Sequence, residues 1–597
     1  MTRIKRPGIF QPHTLALAIA LGIAAPAHAV NFNIGEIEGQ LDSSLSVGAS
    51  WSTAKPDKDL IGSANGGTGF TQTGDDGRLN FKRGETFSKI FKGIHDLELK
   101  YGDTGVFVRG KYWYDFELKD ESRLFKDIDD HNRKEAAQAS GAEILDAFVY
   151  HNYAIADMPG TVRLGKQVVS WGESTFIQNG INSINPVDVS AFRRPGAEVK
   201  EGLIPVNMFY MSQTLTDQLS AEAFYQLEWD QTVIDNCGTF FASSDVSADG
   251  CDTNYNILTP GQIGTLQAAQ AGLLGPGAQA LTAGLTVEDE GLVVRRGGDR
   301  DARDSGQWGG ALRWLGDDTE YAAYMMNYHS RTPNAMFQNA DAAAITAAGL
   351  AGALAPLILI GSGSYYLEYP EDIRLYGLSF STTLPTGTAW AGEISYRPNM
   401  PLGINGTDMT AKLASSVTGL ASAGQVSKGY NRKEVTQVQT TLTHFFDQVL
   451  GASRLTLVGE AAMTSIGGLE SRDEVAYGRD SIYGSPHGTG AANLASLAEY
   501  GTHGFYTNTS WGYRARGILE YSNVFAGINL KPNVAWSHDV DGYGPVFNEG
   551  SKALSVGIDA DYLNTYTASL SYTDFFGGDF NTNVDRDFVA LSFGVNF

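Results

Sequence analysis

Along most of the chain, apolar residues recur at every second position. From Ile37 to Trp51 one face carries Ile37, Gly39, Leu41, Leu45, Val47, Ala49 and Trp51, and the other carries Glu38, Gln40, Asp42 and Ser44. Leu97, Leu99 and Tyr101 run into Gly102-Asp103-Thr104-Gly105, beyond which Val106, Val108, Gly110, Tyr112 and Tyr114 continue the apolar face. Glu98, Lys100, Arg109, Lys111 and Asp115 occupy the opposite side. A period of two with one greasy and one polar face is the pattern of a β-strand. The same hairpin pattern returns around residues 219–229, 308–318, 384–396, 511–536 and 554–572, with Ser522-Asn523 and Leu563-Asn564 read as the last two turns.

A soluble sandwich also alternates, but its strands are shorter and its turns do not divide into a tight set and a long set. Here many strands are long, Trp and Tyr gather near strand ends, and tight turns alternate with long loops. The prediction is an all-β fold, a transmembrane antiparallel β-barrel with tight periplasmic turns and long extracellular loops. Tight connections near 102–105, 156–160, 216–218, 316–318, 385–388, 447–451, 522–525 and 563–565 make eight hairpins. A first and a last strand closing on each other bring the count to 18, with 16 as the alternative if the weaker strands are discounted. Residues 231–306, 331–371, 398–434 and 465–510 are read as long extracellular loops.

One stretch could be mistaken for a membrane helix. From Ala342 to Gly363 there is no charge, yet the run is mostly Ala and Gly and is interrupted by Pro356. It is read as a short helical element over the barrel mouth or dipping into lipid, as are the Ala-rich segments near 261–285, 409–424 and 491–500; disordered loop tips are the competing reading.

The two ends give the address. Arg3, Lys5 and Arg6, the apolar run 15–25 and Ala27-His28-Ala29 have the three-part build of a cleaved secretory signal, so residues 1–29 are set aside and 30–597 form a single barrel domain. The last strand alternates as Val589, Leu591, Phe593, Val595 and Phe597, and a terminal aromatic with this spacing resembles the signal read by the bacterial barrel-assembly machinery. The expected location is the bacterial outer membrane, in contact with its lipids and lipopolysaccharide.

Charge and cysteine content narrow the chemistry. The 597 residues carry a formal charge of −24, and loss of three basic leader residues makes it −27, which argues against nucleic acid as a partner. The two cysteines, Cys237 and Cys251, are expected to form one disulfide in an oxidising compartment; zinc would need further Cys or His nearby. No nucleophile elbow, phosphate loop, H-E-x-x-H or C-x-x-C motif occurs, so no enzyme, metal or cofactor is predicted. Asp299, Asp301 and Asp304 hint at calcium, but the interleaved Arg300 and Arg303 favour a solvated loop with internal ion pairing.

The densest chemistry lies in residues 161–206. Arg163, Lys166, Trp171, Glu173, Asn185, Asp188, Arg193, Arg194, Glu198 and Lys200 crowd a region too rich in Asn, Pro and Gly for a spanning strand. Residues 169–206 are read as a segment folded into the lumen with these charges paired; the alternative is an exposed outer loop with the same charges solvated.

The runs V-R-L-G-K-Q-V-V-S-W-G-E-S at 162–174, I-N-S-I-N-P-V-D at 181–188, R-R-P-G-A-E at 193–198, C-G-T-F-F at 237–241 and G-E-I-S-Y-R-P-N-M-P-L at 392–402 resemble a proteobacterial outer-membrane family, the domain-of-unknown-function family 1302. The opening L-D-S-S-L-S-V-G-A-S-W at 41–51 fits as well. The resemblance implies a large barrel associated with an outer-membrane lipoprotein and an inner-membrane permease of the resistance-nodulation-division type, handling hydrophobic substrates such as lipids. It supplies no catalytic residues. The expected function is a channel or transport component for a hydrophobic or amphipathic molecule. The alternatives are a receptor, adhesin or scaffold working through its loops, or a general diffusion porin.

Overall fold

The computed structural model describes residues 30–252, 254–258, 263, 285–288, 291–352, 355–415, 420–488 and 490–597. Eighteen antiparallel strands form the wall. The first nine are β1 Ile37–Ser52, β2 Thr86–Tyr101, β3 Thr104–Asp115, β4 Ser140–Ile155, β5 Met158–Gln167, β6 Val206–Thr214, β7 Leu219–Gln226, β8 Trp308–Leu315 and β9 Thr319–Tyr328. The second nine are β10 Ile373–Thr383, β11 Ala389–Gly403, β12 Tyr430–Asp447, β13 Arg454–Gly467, β14 Thr509–Phe525, β15 Ile528–Asp541, β16 Lys552–Tyr562, β17 Tyr566–Phe576 and β18 Phe588–Asn596.

Each strand pairs with its sequence neighbours, and β18 pairs back onto β1, with Phe593 opposite Val47. Phe597 and Ser43 exchange backbone hydrogen bonds at the seam, of 2.8 and 2.6 Å. Closure leaves no strand edge, the condition for a sheet to cross hydrocarbon. A short N-terminal strand, Val30–Ile34, folds against the start of β1. The count of 18 is the one the turns predict.

The alternation follows the lipid boundary. Leu164, Leu312, Leu378, Val438, Leu442, Leu457, Met463, Val534, Val556, Leu570 and Phe593 are exposed on the outer face. Trp314, Tyr321, Trp390, Phe445 and Tyr562 lie next to tight turns; Trp308, Tyr376 and Trp511 lie next to the long loops. An apolar belt between two aromatic girdles makes this a barrel of the outer membrane. Among the described residues no helix is long and apolar enough to cross a membrane.

The tight turns use residues that tolerate left-handed backbone. Ala156-Asp157 and Leu563-Asn564 have φ of 50° and 66°, and 57° and 55°, the two-residue geometry that matches strand twist. One turn is displaced: β14 continues through Phe525 and reverses at Ala526-Gly527, while Asn523 (φ 48°) sits where the β14–β15 register shifts. Asn serves a turn and a bulge equally well, so Ser522-Asn523 gave the same signal for both.

The long connections lie at the other end. Their observed limits are 227–307, 329–372, 404–429 and 468–508, so residues 398–403 and 430–434, read as loop, are the ends of β11 and β12. Residues 53–85 and 116–139 also form sizeable outer loops. The uncharged run 342–363 holds two short helices, α1 Ala342–Leu350 and α2 Ala355–Ser362, that pack together through Ile345, Ala348, Ile358 and Leu359. Pro356 falls in the first turn of α2, where no amide hydrogen bond is lost. Helices α3 Gly406–Ala414 and α4 Ala491–Tyr500 account for two further Ala-rich segments; the third, 261–285, lies almost wholly outside the described residues. The Arg300 and Arg303 ion pairs are not internal to their loop: they reach Glu368 at 3.5 Å and Asp372 at 2.6 Å in the next one.

Candidate functional site: a loop folded into the lumen

Between β5 and β6 the chain turns inward. Asn185 clasps the neck of this segment: its Oδ1 accepts from the Val169 amide, and its Nδ2 donates to the carbonyls of Gln167 and Ile204. The clasp divides residues 168–205 into two lobes.

The first lobe, 169–184, spans the lumen. One side is apolar: Trp171, Ile181 and Ile184 pack with Met208, Phe224, Tyr324 and Leu375 on the inner face of β6–β10. Trp171 is 1% exposed and donates its indole N–H to Glu222 on β7 at 2.7 Å. The wall makes room for it, since a Cβ on Gly377 of β10 would lie 2.7 Å from the Ile181 side chain.

The other side is held by charges on the far wall. Glu460 of β13 accepts the backbone N–H groups of Thr175 (2.9 Å), Phe176 (2.6 Å) and Ile177 (2.7 Å). Glu393 of β11 accepts those of Glu173 and Ile181. Arg397, wholly buried on β11, donates to the carbonyls of Asn179 (2.9 Å) and Gly180 (2.6 Å) and to Ser183 Oγ (2.8 Å). A loop with few backbone hydrogen bonds of its own is satisfied by wall side chains, as buried polar backbone requires. Charge-assisted bonds of this kind are stronger than neutral ones.

The second lobe, 186–204, leans on β2 and β3. Asp188 caps the short helix Val189–Arg193 and pairs with Lys111 at 2.9 Å; both are buried. Glu201 pairs with Lys92 at 2.6 Å, and Lys92 also donates to the Gly196 carbonyl. Arg193 pairs with Asp235 of the loop above and stacks over Phe241; Arg194 donates to the Ala136 carbonyl and stacks over Trp113, 4.8 Å from the ring centre. Glu198 and Lys200 pair at 3.1 Å on the helix Val199–Gly202. Lys200 reaches a cavity of about 470 Å³ at the periplasmic mouth, with Asp42, Asp96 and Asn596.

Of the eight charges singled out from the sequence, Asp188, Arg193, Glu198 and Lys200 stand in ion pairs, and Arg194 lies over an aromatic ring. Arg163 faces inward from β5 over the Tyr210 ring. Lys166 lies on the opposite face of β5 from Arg163. Register pairs it with Ala147 and Asn207, on the outward parity of Leu164's neighbours, and its Nζ donates to the Ile144 carbonyl on the wall. The offset from 163 to 166 is three positions, an odd number, so strand alternation sends them to opposite faces. Glu201, Lys92, Glu222, Glu393, Arg397 and Glu460 were missed. Each except Glu201 sits on a strand, where an inward charge has the same sequence pattern whether it meets water or a loop.

In the loops above, Cys237 and Cys251 form a disulfide with Cα atoms 6.4 Å apart. Helices α2, α3 and α4 border a cavity of about 990 Å³ that joins apolar Phe70, Pro356, Ile360 and Ile404 to Asp408 and His487.

Three solved structures of similar overall extent are OccAB3 of Acinetobacter baumannii (10% identity, 94% of this chain and 99% of that chain covered, TM-score 0.41), a BenF-like porin from Pseudomonas fluorescens Pf-5 (9%, 94% and 98%, 0.40) and the outer membrane protein opdK from Pseudomonas aeruginosa (8%, 94% and 98%, 0.38). Likeness at this level says nothing of what the chain carries. No curated protein matches the sequence. The protein-of-unknown-function model DUF1302 matches residues 11–597, and the chain belongs to that family.

Proposed function

We propose that this protein is an outer-membrane channel for an amphipathic molecule, with residues 168–205 as its constriction. The observation that carries the reading is the inner wall itself: Glu393, Arg397 and Glu460 hold a loop across a lumen that a closed 18-stranded barrel would otherwise leave wide. The route past the loop follows β14–β17, whose inward positions include Arg516, Glu520, Lys531, Asn533, Asp559 and Asp561. The outer cavity, part apolar and part charged, suits a molecule with both characters. A trans-envelope assembly with an outer-membrane lipoprotein and an inner-membrane permease is the partner set that goes with this reading.

The test is reconstitution of the full chain in planar bilayers and in vesicles loaded with an amphipathic dye. The expected result is a small unitary conductance and dye flux exceeding that of a sugar of equal size. Absence of both, with the envelope partners supplied, overturns the proposal. A second reading, a surface receptor or scaffold, is favoured by Leu350 and Leu494, exposed at 76% and 56% on the loop helices. Deleting 342–363 separates the two: loss of partner capture with flux intact supports the second.

A further inference from the structure

Above the lumen segment the outer loops surround a cavity of about 520 Å³. It adjoins the constriction: Phe547 lines the cavity and packs against Ile177 of the first lobe and Ala462 of β13. Tyr255, Phe337, Tyr506, Tyr543, Phe547 and Phe580 give it aromatic walls. Two of these rings lie close over glycines. A Cβ on Gly478 would stand 2.2 Å from the Tyr506 ring, and one on Gly504 would stand 2.7 Å from the Phe580 ring.

Three charged residues line the cavity, and only one leaves its charge open to it. Arg78, 5% exposed, is committed to Asp585 at 3.1 Å and to the carbonyls of Gly74 and Thr582. Arg479, 8% exposed, donates to the carbonyls of Gly484, Gly501 and His503 and to Ser496 Oγ, and its guanidinium lies 3.9 Å from the centre of the Phe505 ring. Asp480, by contrast, is exposed. Its Oδ1 accepts from the Ile482 amide at 2.9 Å, capping the short helix Ser481–Tyr483. Among the described residues no cation lies within ion-pairing distance of it. Burial among the loops pushes its carboxyl pKa up, against the Ile482 bond and the Arg78 charge. The Tyr506 and Tyr543 hydroxyls have no hydrogen-bond partner among the described residues, and burial pushes both up to about 12, so they stay neutral.

A carboxylate without a counter-ion, set among aromatic faces, repels anions and attracts an organic cation twice, through its own charge and through the ring quadrupoles. A metal ion would need several hard oxygens, which aromatic walls do not supply. We propose that this cavity binds an organic cation, a protonated amine or quaternary ammonium on an apolar body, with Asp480 facing the charge and the aromatic walls around the body. The assignment names a substrate class for the channel and rests on the channel reading for passage onward through the lumen, though not for binding.

Isothermal titration of the full-length protein in detergent with phenyltrimethylammonium, benzyl alcohol and benzenesulfonate tests this, in about 0.3 M sodium chloride to screen the other surface charges. The expected result is saturable binding of the ammonium at least about tenfold tighter than either comparator, the factor one charge-assisted contact supplies. Asp480→Asn keeps an acceptor for the Ile482 amide and should weaken the ammonium about tenfold while leaving benzyl alcohol unchanged. Tyr506→Leu, which removes one ring and no charge, should weaken it about threefold and decides the matter should the first variant fail to fold. No binding, equal affinity for the three compounds, or an unchanged ammonium affinity in both variants overturns the proposal. Ammonium binding without flux in vesicles upholds this site and counts against the channel; flux without ammonium binding overturns the site and upholds the channel.

Discussion

Replacing Glu460 with Ala should release the first lobe of the lumen segment. The carboxylate accepts three backbone N–H groups, from Thr175, Phe176 and Ile177, and a hydroxyl from Thr441, at 2.6 to 3.1 Å. Its side chain is 2% exposed. A hydrogen bond to a charged group is worth roughly 1.5–3 kcal/mol, but water admitted to a lumen site recovers part of each. Counting about 1 kcal/mol for each orphaned amide gives a destabilisation of the docked lobe of about 3 kcal/mol. At 1.4 kcal/mol per factor of ten, the undocked fraction rises about a hundredfold. The assay is single-channel recording of the reconstituted protein, paired with protease mapping of residues 169–184. E460A should show larger and more frequent open levels and faster cleavage in that stretch. E460Q keeps an acceptor oxygen and should fall between wild type and E460A. If E460A, and E460A combined with E393A, leave conductance and cleavage unchanged, these wall carboxylates do not hold the loop.

Further outcomes follow from single contacts. His329 is buried, its Nε2 donating to the Ser305 carbonyl at 2.9 Å and its Nδ1 accepting from the Asp372 amide at 3.0 Å, and burial lowers its pKa. The unfolded ring takes a proton near pH 6.5 while the folded one resists, so stability is lost as pH falls below that value. Hydrogen-exchange protection of residues 301–307 and 369–372, taken relative to the intrinsic rate at each pH, should therefore fall between pH 7 and pH 5 in wild type but not in H329Q. The C237S/C251S variant should lose about 3 kcal/mol of loop constraint in the chain-entropy account. The expected sign is faster proteolysis within 227–252 with the barrel's melting unchanged, and equal rates would refute it. Phe597→Asp places a charge on the lipid-facing row beside the β1 seam and should reduce the amount of heat-modifiable barrel in isolated outer membranes; normal levels would count against the assembly role.

Strand alternation, the tight turns and the terminal aromatic row were legible because each is local. Lipid on one side and a wet lumen on the other force a period of two, and a two-residue reversal demands residues that accept positive φ. These fixed the barrel, its strand count and its membrane. The lumen segment was half legible: Trp171, Asn185 and Asp188 stand out in 161–206 because polar residues at that density cannot span lipid. Their partners were not. Glu393 and Glu460 lie 220 and 284 residues from the amides they receive, on strands where an inward carboxylate could as well have faced water. The same holds for Asp480 and Phe547, each unremarkable in its own loop. Sequence periodicity determines which face a side chain occupies; only closure of the barrel decides what stands opposite it, because partners across a lumen are set by the circumference of the sheet and not by separation along the chain.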